Sequence, residues 1–519
     1  MISNRSAAAV GLVGGAALLL SGCGAPSNGG GASSEPVTGG ELVIASLPAL
    51  IDPHGTTSRS NWMVAASVCE GLFANAADTS IHEGLVEEYE YDEEAGIYTL
   101  TLREGVPFHG GGELAAADVV ASLERYAESD PGELFNSLVD GIEETDPLTV
   151  TITTTDPTGA IPALLSTPDT GAYVMSAASL EAAGEDELDS LDCTGPYELD
   201  AFTVDREATA SRFDDYASRD DASDGAAGAK TAHADSLRFI PFNEANTLNQ
   251  LRTSEVHVAP QFLGVDQLAV YEADPALNPV LSEDSEFSIL QFNLRSELMG
   301  DVDMRRAVLN ALDFAEIETQ HLGDTEHFTE DSSFFPPASP WYSEAGSEAY
   351  TDRSVEETRR LLDEAGYDGT PVRILYRPST DAYGPILQQQ LENAGLTVDL
   401  QAMDAATFGS TRTEEDTWEV FLGGGAAYSD PLTVVFLNDD FPGWWATEEK
   451  AELMAAVTEG VDIESRKPAW DDVQELIWDE VPFIRFGHEP RLAVTAAGVG
   501  GFEATQGTVR GFYNLWLDQ

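Results

Sequence analysis

Arg377 stands immediately before Pro378, just after a strand expected over 372–376, and its guanidinium fork is suited to bidentate capture of a planar carboxylate. Further along, Gly423-Gly424-Gly425-Ala426-Ala427-Tyr428-Ser429-Asp430-Pro431 sets a small-residue tract beside one aromatic ring and one acid. Tyr428, and the pair Trp444-Trp445 behind Pro442-Gly443, offer flat surfaces for sugars, rings or peptide planes. The tryptophan pair serves equally well as core packing. These are the parts of a binding site. Covalent catalysis needs others, and the chain has neither a Gly-x-Ser-x-Gly elbow nor a His-Glu-x-x-His zinc helix. Its eight histidines are dispersed, and His321 and His327 lie six apart without the i,i+4 spacing of helical ligands, so no metal and no cofactor is expected.

The elements that must position these residues begin behind a leader. Arg5 precedes an apolar and small-residue run over 7–20, too short to span a bilayer and of the size of a secretory h-region. Leu20-Ser21-Gly22-Cys23 follows, similar to the lipobox whose cysteine is acylated once the leader is removed; the alternative is an ordinary buried cysteine. Residues 24–40 are rich in Gly, Ser, Ala and Pro and carry one charge, Glu35. We therefore expect a lipoprotein signal peptide over 1–22 and a lipidated flexible tether over 23–40. The body should then sit on the outer face of the cytoplasmic membrane, held there by lipid alone.

Charge excludes one class of partner. With 25 Lys and Arg against 92 Asp and Glu the net charge is −67, and a surface that acidic repels phosphate backbones, so nucleic acid is not a partner. The acidic coat fits a saline exterior and a compositional bias of the lineage equally. A hydrophobic content of 42% is ample for packed cores. Cys69 and Cys193 either form one bridge, in a compartment where disulfides persist, or stay as two buried thiols.

A strand over 42–45 leads to a turn-rich stretch, Asp52-Pro53-His54-Gly55-Thr56-Thr57-Ser58, and then to a helix carrying Val64 and Val68 on to Leu72. Residues 98–102 and 148–154 alternate as half-buried strands do, while Val119, Val120, Leu123 and Tyr126 recur at helical spacing. The polar stretch 212–234 reads as a surface excursion before a strand over 237–240. In the second half Ser354 and Glu357 form a capping box, opening a helix that closes at Gly366. Strand 372–376, helix 385–394, strand 396–400 and strand 419–422 follow with short joints, the alternation of an α/β lobe.

Several blocks along this path resemble, in order, the peptide/nickel-type extracellular solute-binding proteins of ABC importers. They are the 52–58 turn, Glu70-Gly71-Leu72, Leu102-Arg103-Glu104-Gly105-Val106-Pro107-Phe108-His109-Gly110-Gly111, Ala117-Asp118-Val119-Val120-Ala121-Ser122 and Thr194-Gly195-Pro196-Tyr197. Phe292-Asn293, Arg305-Arg306-Ala307, Ala365-Gly366-Tyr367 and Gln388-Gln389-Gln390-Leu391 continue the series. The resemblance implies an α/β, bilobed periplasmic-binding-protein-like (type II) fold with an additional domain inserted in the first lobe. Lobe I would comprise 41–70, 170–284 and 489–519, the insert 71–169, and lobe II 285–488. It also implies a monomer that closes on a small solute by hinge motion, without turnover, and delivers it to the transmembrane subunits of an ABC permease. A ligand sensor or scavenging surface protein on the same fold is the alternative.

The resemblance extends to single residues. Arg377 matches the arginine with which dipeptide binders hold the ligand's C-terminal carboxylate. Ala427 stands where they place an aspartate against the α-ammonium, and Gly424 where they place a wall tryptophan. Asp430, beside Pro431, shapes the turn and is the nearest substitute acid. Thr57 and Asn293, in their blocks, complete the expected ligand-binding set with Tyr428, Trp444 and Trp445. So read, the pocket grips a carboxylate and lacks a counter-charge for an amine. Phe108-His109-Gly110 and Thr194-Gly195-Pro196-Tyr197 are expected to be structural turns.

Overall fold

The computed structural model describes residues 35–168, 170–184, 187–261, 263–323, 326–503 and 510–518. Cys23, with the leader and most of the tether, lies outside the described residues. One mixed sheet organises the chain. Its strands run in the order Tyr197–Thr203, Glu207–Arg212, Ser236–Ile240, Glu41–Ala45, Val258–Ala259, Glu489–Ala496, Leu277–Phe292, Val420–Ala426, Val372–Tyr376 and Val398–Ala402, with Phe483–Arg485 added beside Leu277–Phe292.

Leu277–Phe292 serves both halves of this sheet. Its first part pairs antiparallel with Glu489–Ala496, from Leu277 opposite Ala496 to Ser282 opposite Arg491. After a register shift between Ser282 and Glu286 it pairs with Val420–Ala426 and with Phe483–Arg485. Such a shift leaves a ladder locally unpaired and bends the strand, which makes it a natural place for two lobes to swing.

Period-two alternation explains how the central strands are buried on both faces. Leu42 and Ile44 enter a core with Trp62, Met63, Tyr197 and Phe239, whereas Val43 and Ala45 enter another with Leu251, Tyr271 and Val494. In the second half Val372, Ile374, Val420 and Leu422 pack with Leu387 and Trp478, while Leu375 and Phe421 turn to Phe408 and Trp418. Residues between 72 and 174 form a core of their own, in which Tyr98, Leu100 and Val150 of a four-stranded sheet meet Val119 and Leu123 of helix Ala116–Ala127. Among the described residues no helix is long and apolar enough to cross a membrane.

Local expectations fail where tertiary contacts intervene. The helix expected to reach Leu72 is Arg59–Val68, because Cys69 leaves it with extended backbone and is disulfide-bonded to Cys193, after which Glu70–Gly71 pairs as a strand with Tyr173–Val174. That bridge spans 124 residues, enough to constrain the unfolded chain by about 4 to 5 kcal/mol. The capping box at Ser354 is half made. Ser354 Oγ accepts from Glu357 N, but the Ser354 N–H donates to Asn310 and the Glu357 carboxylate turns to Arg360. The strand expected to end at Leu422 continues to Ala426, since the glycines pair with the strand carrying Phe287. A Cβ on Gly425 would lie 2.6 Å from the Phe287 ring. The motif turns are structural as expected: His109 Nε2 sits 2.9 Å from Gly195 O, and a Cβ on Gly195 would collide with Val68 O at 2.3 Å.

Candidate functional site

Three adjoining cavities of about 520, 530 and 230 Å³ all touch Val435, an exposed apolar side chain. The 520 Å³ cavity opens where the parallel strands Val372–Tyr376, Val398–Ala402 and Val420–Ala426 end, the position at which open α/β sheets hold ligands. Arg377 follows the first strand. Helix Ala405–Thr411 follows the second and brings Phe408 and Arg412, and the third contributes Gly423, Gly424 and, just past its end, Tyr428. Phe421, Phe436 and Phe441 supply further apolar wall.

The 230 Å³ cavity reaches across to the N-terminal part of the chain, where Thr57, Arg59, Trp62 and Thr170 face the segment 425–429. The 530 Å³ cavity continues to Asp130 and Glu133, with Asp439 on the opposite side. Both arginines of the cleft's first cavity thus share it with Asp440, while the 530 Å³ cavity is lined by carboxylates and, among the described residues, by no arginine.

Arg377 is present in the cavity but already engaged. Nε and Nη2 both donate to Asp381 at 3.1 Å, the backbone N–H donates to the same carboxylate at 2.8 Å, and the guanidinium lies 4.6 Å from the centre of the Phe408 ring. The i,i+4 spacing of Arg377 and Asp381 folds the loop after the strand back on itself. Arg412 differs. It makes no ion pair and donates no side-chain hydrogen bond among the described residues, its Nε is buried without a partner, and it lies 5.9 Å and 5.7 Å from the ring centres of Phe421 and Phe441. Burial, and then the repulsion of Arg377, hold its guanidinium below the usual pKa of arginine.

Tyr428 lines both the 520 and the 230 Å³ cavities, 6.0 Å from Phe287, and burial pushes its phenol pKa up. Gly424 lines the first cavity and Ala427 the second. A Cβ on Gly424 would stand 2.7 Å from Phe287 O, so close pairing with the central strand accounts for glycine there. Thr57 is exposed and lines two of the cavities.

The remaining expected residues are placed elsewhere. Asp430 is buried and spent: it receives both Nη atoms of Arg466 at 2.7 Å and caps the turn Pro431–Thr433 through Leu432 N. The pair lines a separate cavity of about 460 Å³ against residues 79–83. Asn293 is fully buried; its amide donates to Glu415 O and Trp418 O while its oxygen accepts from Arg295 N, which fixes a loop and leaves nothing for a ligand. Trp445 is core, packed against Phe483 with its indole N–H on Glu480. Trp444, at φ +53°, rests on Trp418 beneath Arg295. Neither tryptophan lines the three adjoining cavities. Gly443 precedes the pair with a positive φ, and a Cβ there would strike the Gln291 amide at 2.1 Å, which accounts for glycine at that position.

Several residues of the cleft carry no motif. Arg59 begins its helix and reaches over to Glu286, which also holds Arg491, tying the two sides of the register shift. Burial opposes ionisation of Glu286, but Arg491 and Arg59 outweigh it and keep its pKa below the usual range. Nearby, Glu318 is buried with both oxygens unpartnered among the described residues, and burial and then Glu489 push its pKa well up. No group of three metal-ligating side chains exists among the described residues.

Comparison with known proteins agrees with this architecture. The chain is 24% identical over 471 residues to a probable peptide ABC transporter periplasmic-binding protein, y4tO, of Sinorhizobium fredii, covering 84% of this chain and 86% of that one. It is 24% identical over 486 residues to the glutathione-binding protein GsiB of Salmonella paratyphi A, covering 89% and 91%. Its fold superposes on the ABC transporter-associated periplasmic binding protein DppA of Helicobacter pylori, in complex with a peptide, with a TM-score of 0.76 at 18% identity, covering 93% of this chain and 99% of that chain. The family model described as bacterial extracellular solute-binding proteins, family 5 Middle, matches residues 80–441. With that match over most of its length, the chain belongs to the family 5 bacterial extracellular solute-binding proteins, which bind solutes and are not enzymes.

Proposed function

We propose that this protein is the substrate-binding lipoprotein of an ABC importer. In this reading it captures a small, peptide-like, carboxylate-bearing solute between its lobes and presents it to the permease. The observation that carries the reading is the cleft itself, with arginines and aromatic rings at the ends of three strands, adjoining a cavity whose opposite wall comes from Thr57, Arg59 and Trp62. The names of the peptide- and glutathione-binding relatives support the solute class.

The solute should lack a free α-amine beside Ala427. No carboxylate lines the 230 Å³ cavity among the described residues, Arg59 does, and the nearest substitute, Asp430, is committed to Arg466. An ammonium held there would forgo charge-assisted hydrogen bonding of roughly 1.5 to 3 kcal/mol. Lipid attachment at Cys23 is supported by Leu20-Ser21-Gly22-Cys23 alone.

Native mass spectrometry of protein purified from its host would identify the carried solute, and calorimetry would compare a dipeptide with its N-acetylated form. Tighter binding of the acetylated form is expected; tighter binding of the free amine would refute the amine assignment. Cys23→Ser should release the protein into the medium, and retention on membranes would place the anchor elsewhere. A sensor on the same fold would bind the solute equally well but leave uptake unchanged when its gene is deleted.

A further inference from the structure

We propose that Arg412, not Arg377, supplies the cation that captures the solute's anionic group, and that the group it selects is a carboxylate carried on an apolar or aromatic body. The inference rests on the reading of the cleft as a solute site and names the chemistry of one end of it.

Both arginines line the 520 Å³ cavity, yet they are in different states. Arg377 has given both arms of its fork to Asp381, so an incoming carboxylate would have to displace or share an internal one. Arg412 has no carboxylate to give up among the described residues. In a chain with 92 acids and 25 lysines and arginines, a half-buried arginine without an acid beside it runs against composition. Arg103, Arg305 and Arg510, which also lack ion pairs among the described residues, donate instead to backbone carbonyls. Arg412 donates its side chain to none, and its Nε is shut off from solvent unpaired. A cation taken partly out of water without a partner carries a desolvation cost that a bound anion cancels. Asp440 lines the same cavity from its exposed rim without an ion pair to Arg412. The other walls, Phe408, Phe421, Phe436 and Phe441 with Tyr428, suit an apolar body better than a polar one.

N-Benzoylglycine and N-benzoylglycinamide differ only in the charge that Arg412 would read. Calorimetry with the full protein should show the carboxylate form binding at least about tenfold tighter than the amide. Arg412→Gln should erase the difference, Arg412→Lys, which keeps charge without the fork, should leave part of it, and Arg377→Gln should leave most of it. Thermal unfolding of each variant at the wild-type midpoint would show that the cavity persists. Discrimination that survives in Arg412→Gln, loss of discrimination in Arg377→Gln instead, equal affinity of the two forms for the wild type, or no binding of either, would each overturn the inference. If in those cases the host-derived solute or a peptide still binds, only the assignment to Arg412 falls and the transport reading stands.

Discussion

Two aspartate–arginine forks in this protein share bidentate geometry and differ in depth. Asp430 and Arg466 are 1% and 3% exposed, sealed beneath the 3-10 turn that follows the glycine tract. Asp381 is as deeply buried, but its partner Arg377 is 27% exposed and faces the cleft. The first pair holds structure, because both charges are buried and each would be left without its counter-ion if the other were removed. The second leaves a guanidinium within reach of solvent, and with it a choice of partners. Arg412 completes the series as an arginine of the same cavity that makes no ion pair among the described residues. Position in the cleft, more than residue type, decides which charges are left for a ligand.

Breaking the deep fork should have the largest effect. Arg466→Ala leaves the Asp430 carboxylate buried and unpaired, at a cost of about 3 to 5 kcal/mol, read as a lower midpoint in denaturant at unchanged slope. A midpoint near wild type would mean that water reaches Asp430 and that the two forks are alike.

Glu318 extends the comparison to a buried acid with no guanidinium. Its folded pKa is raised, so the native state holds its proton more tightly than the unfolded chain does. Its contribution is therefore greatest below about pH 4.5 and is lost as pH rises toward the raised value. Glu318→Gln should thus stabilise the protein at pH 7.5, and the gain should shrink toward pH 4.5. Thermal unfolding across that range tests it, and a gain that grows on acidification would reverse the assignment.

The smallest stability effect is expected at the shallow fork. Asp381→Asn should cost about 1 kcal/mol or less, since Arg377 keeps its access to water. The same change frees a cation in the cavity, so affinity for N-benzoylglycine should rise several-fold while that for the amide stays put. A fall in affinity for the acid would show that Asp381 positions Arg377 for the ligand.

Much of the fold could be read from periodicity because the central strands alternate into two cores, as Leu42 and Val43 do, and because Val119, Leu123 and Tyr126 mark one buried helix face. The boundaries that slipped, at Leu72 and Leu422, are set by a disulfide and by strand pairing with Phe287, both distant in sequence. The site was legible where it follows a strand end, as at Arg377 and at Gly424 to Tyr428. A block or a bulky ring does not reveal which way it points, and Asn293 and Trp445 both point into packing, the second of the two readings open for the tryptophan pair. Arg412, in Thr411-Arg412-Thr413, carries no local signal. What distinguishes it is a carboxylate that is not there, which only the folded surroundings disclose.

Small-angle scattering, with and without a saturating N-acetylated dipeptide, tests the central claim most directly, namely that the two lobes close on a solute about the strand Leu277–Phe292. The account predicts a smaller radius of gyration on binding and the same ligand recovered unchanged afterwards. An unchanged radius at proven saturation, or steady conversion of the ligand to product, would contradict it.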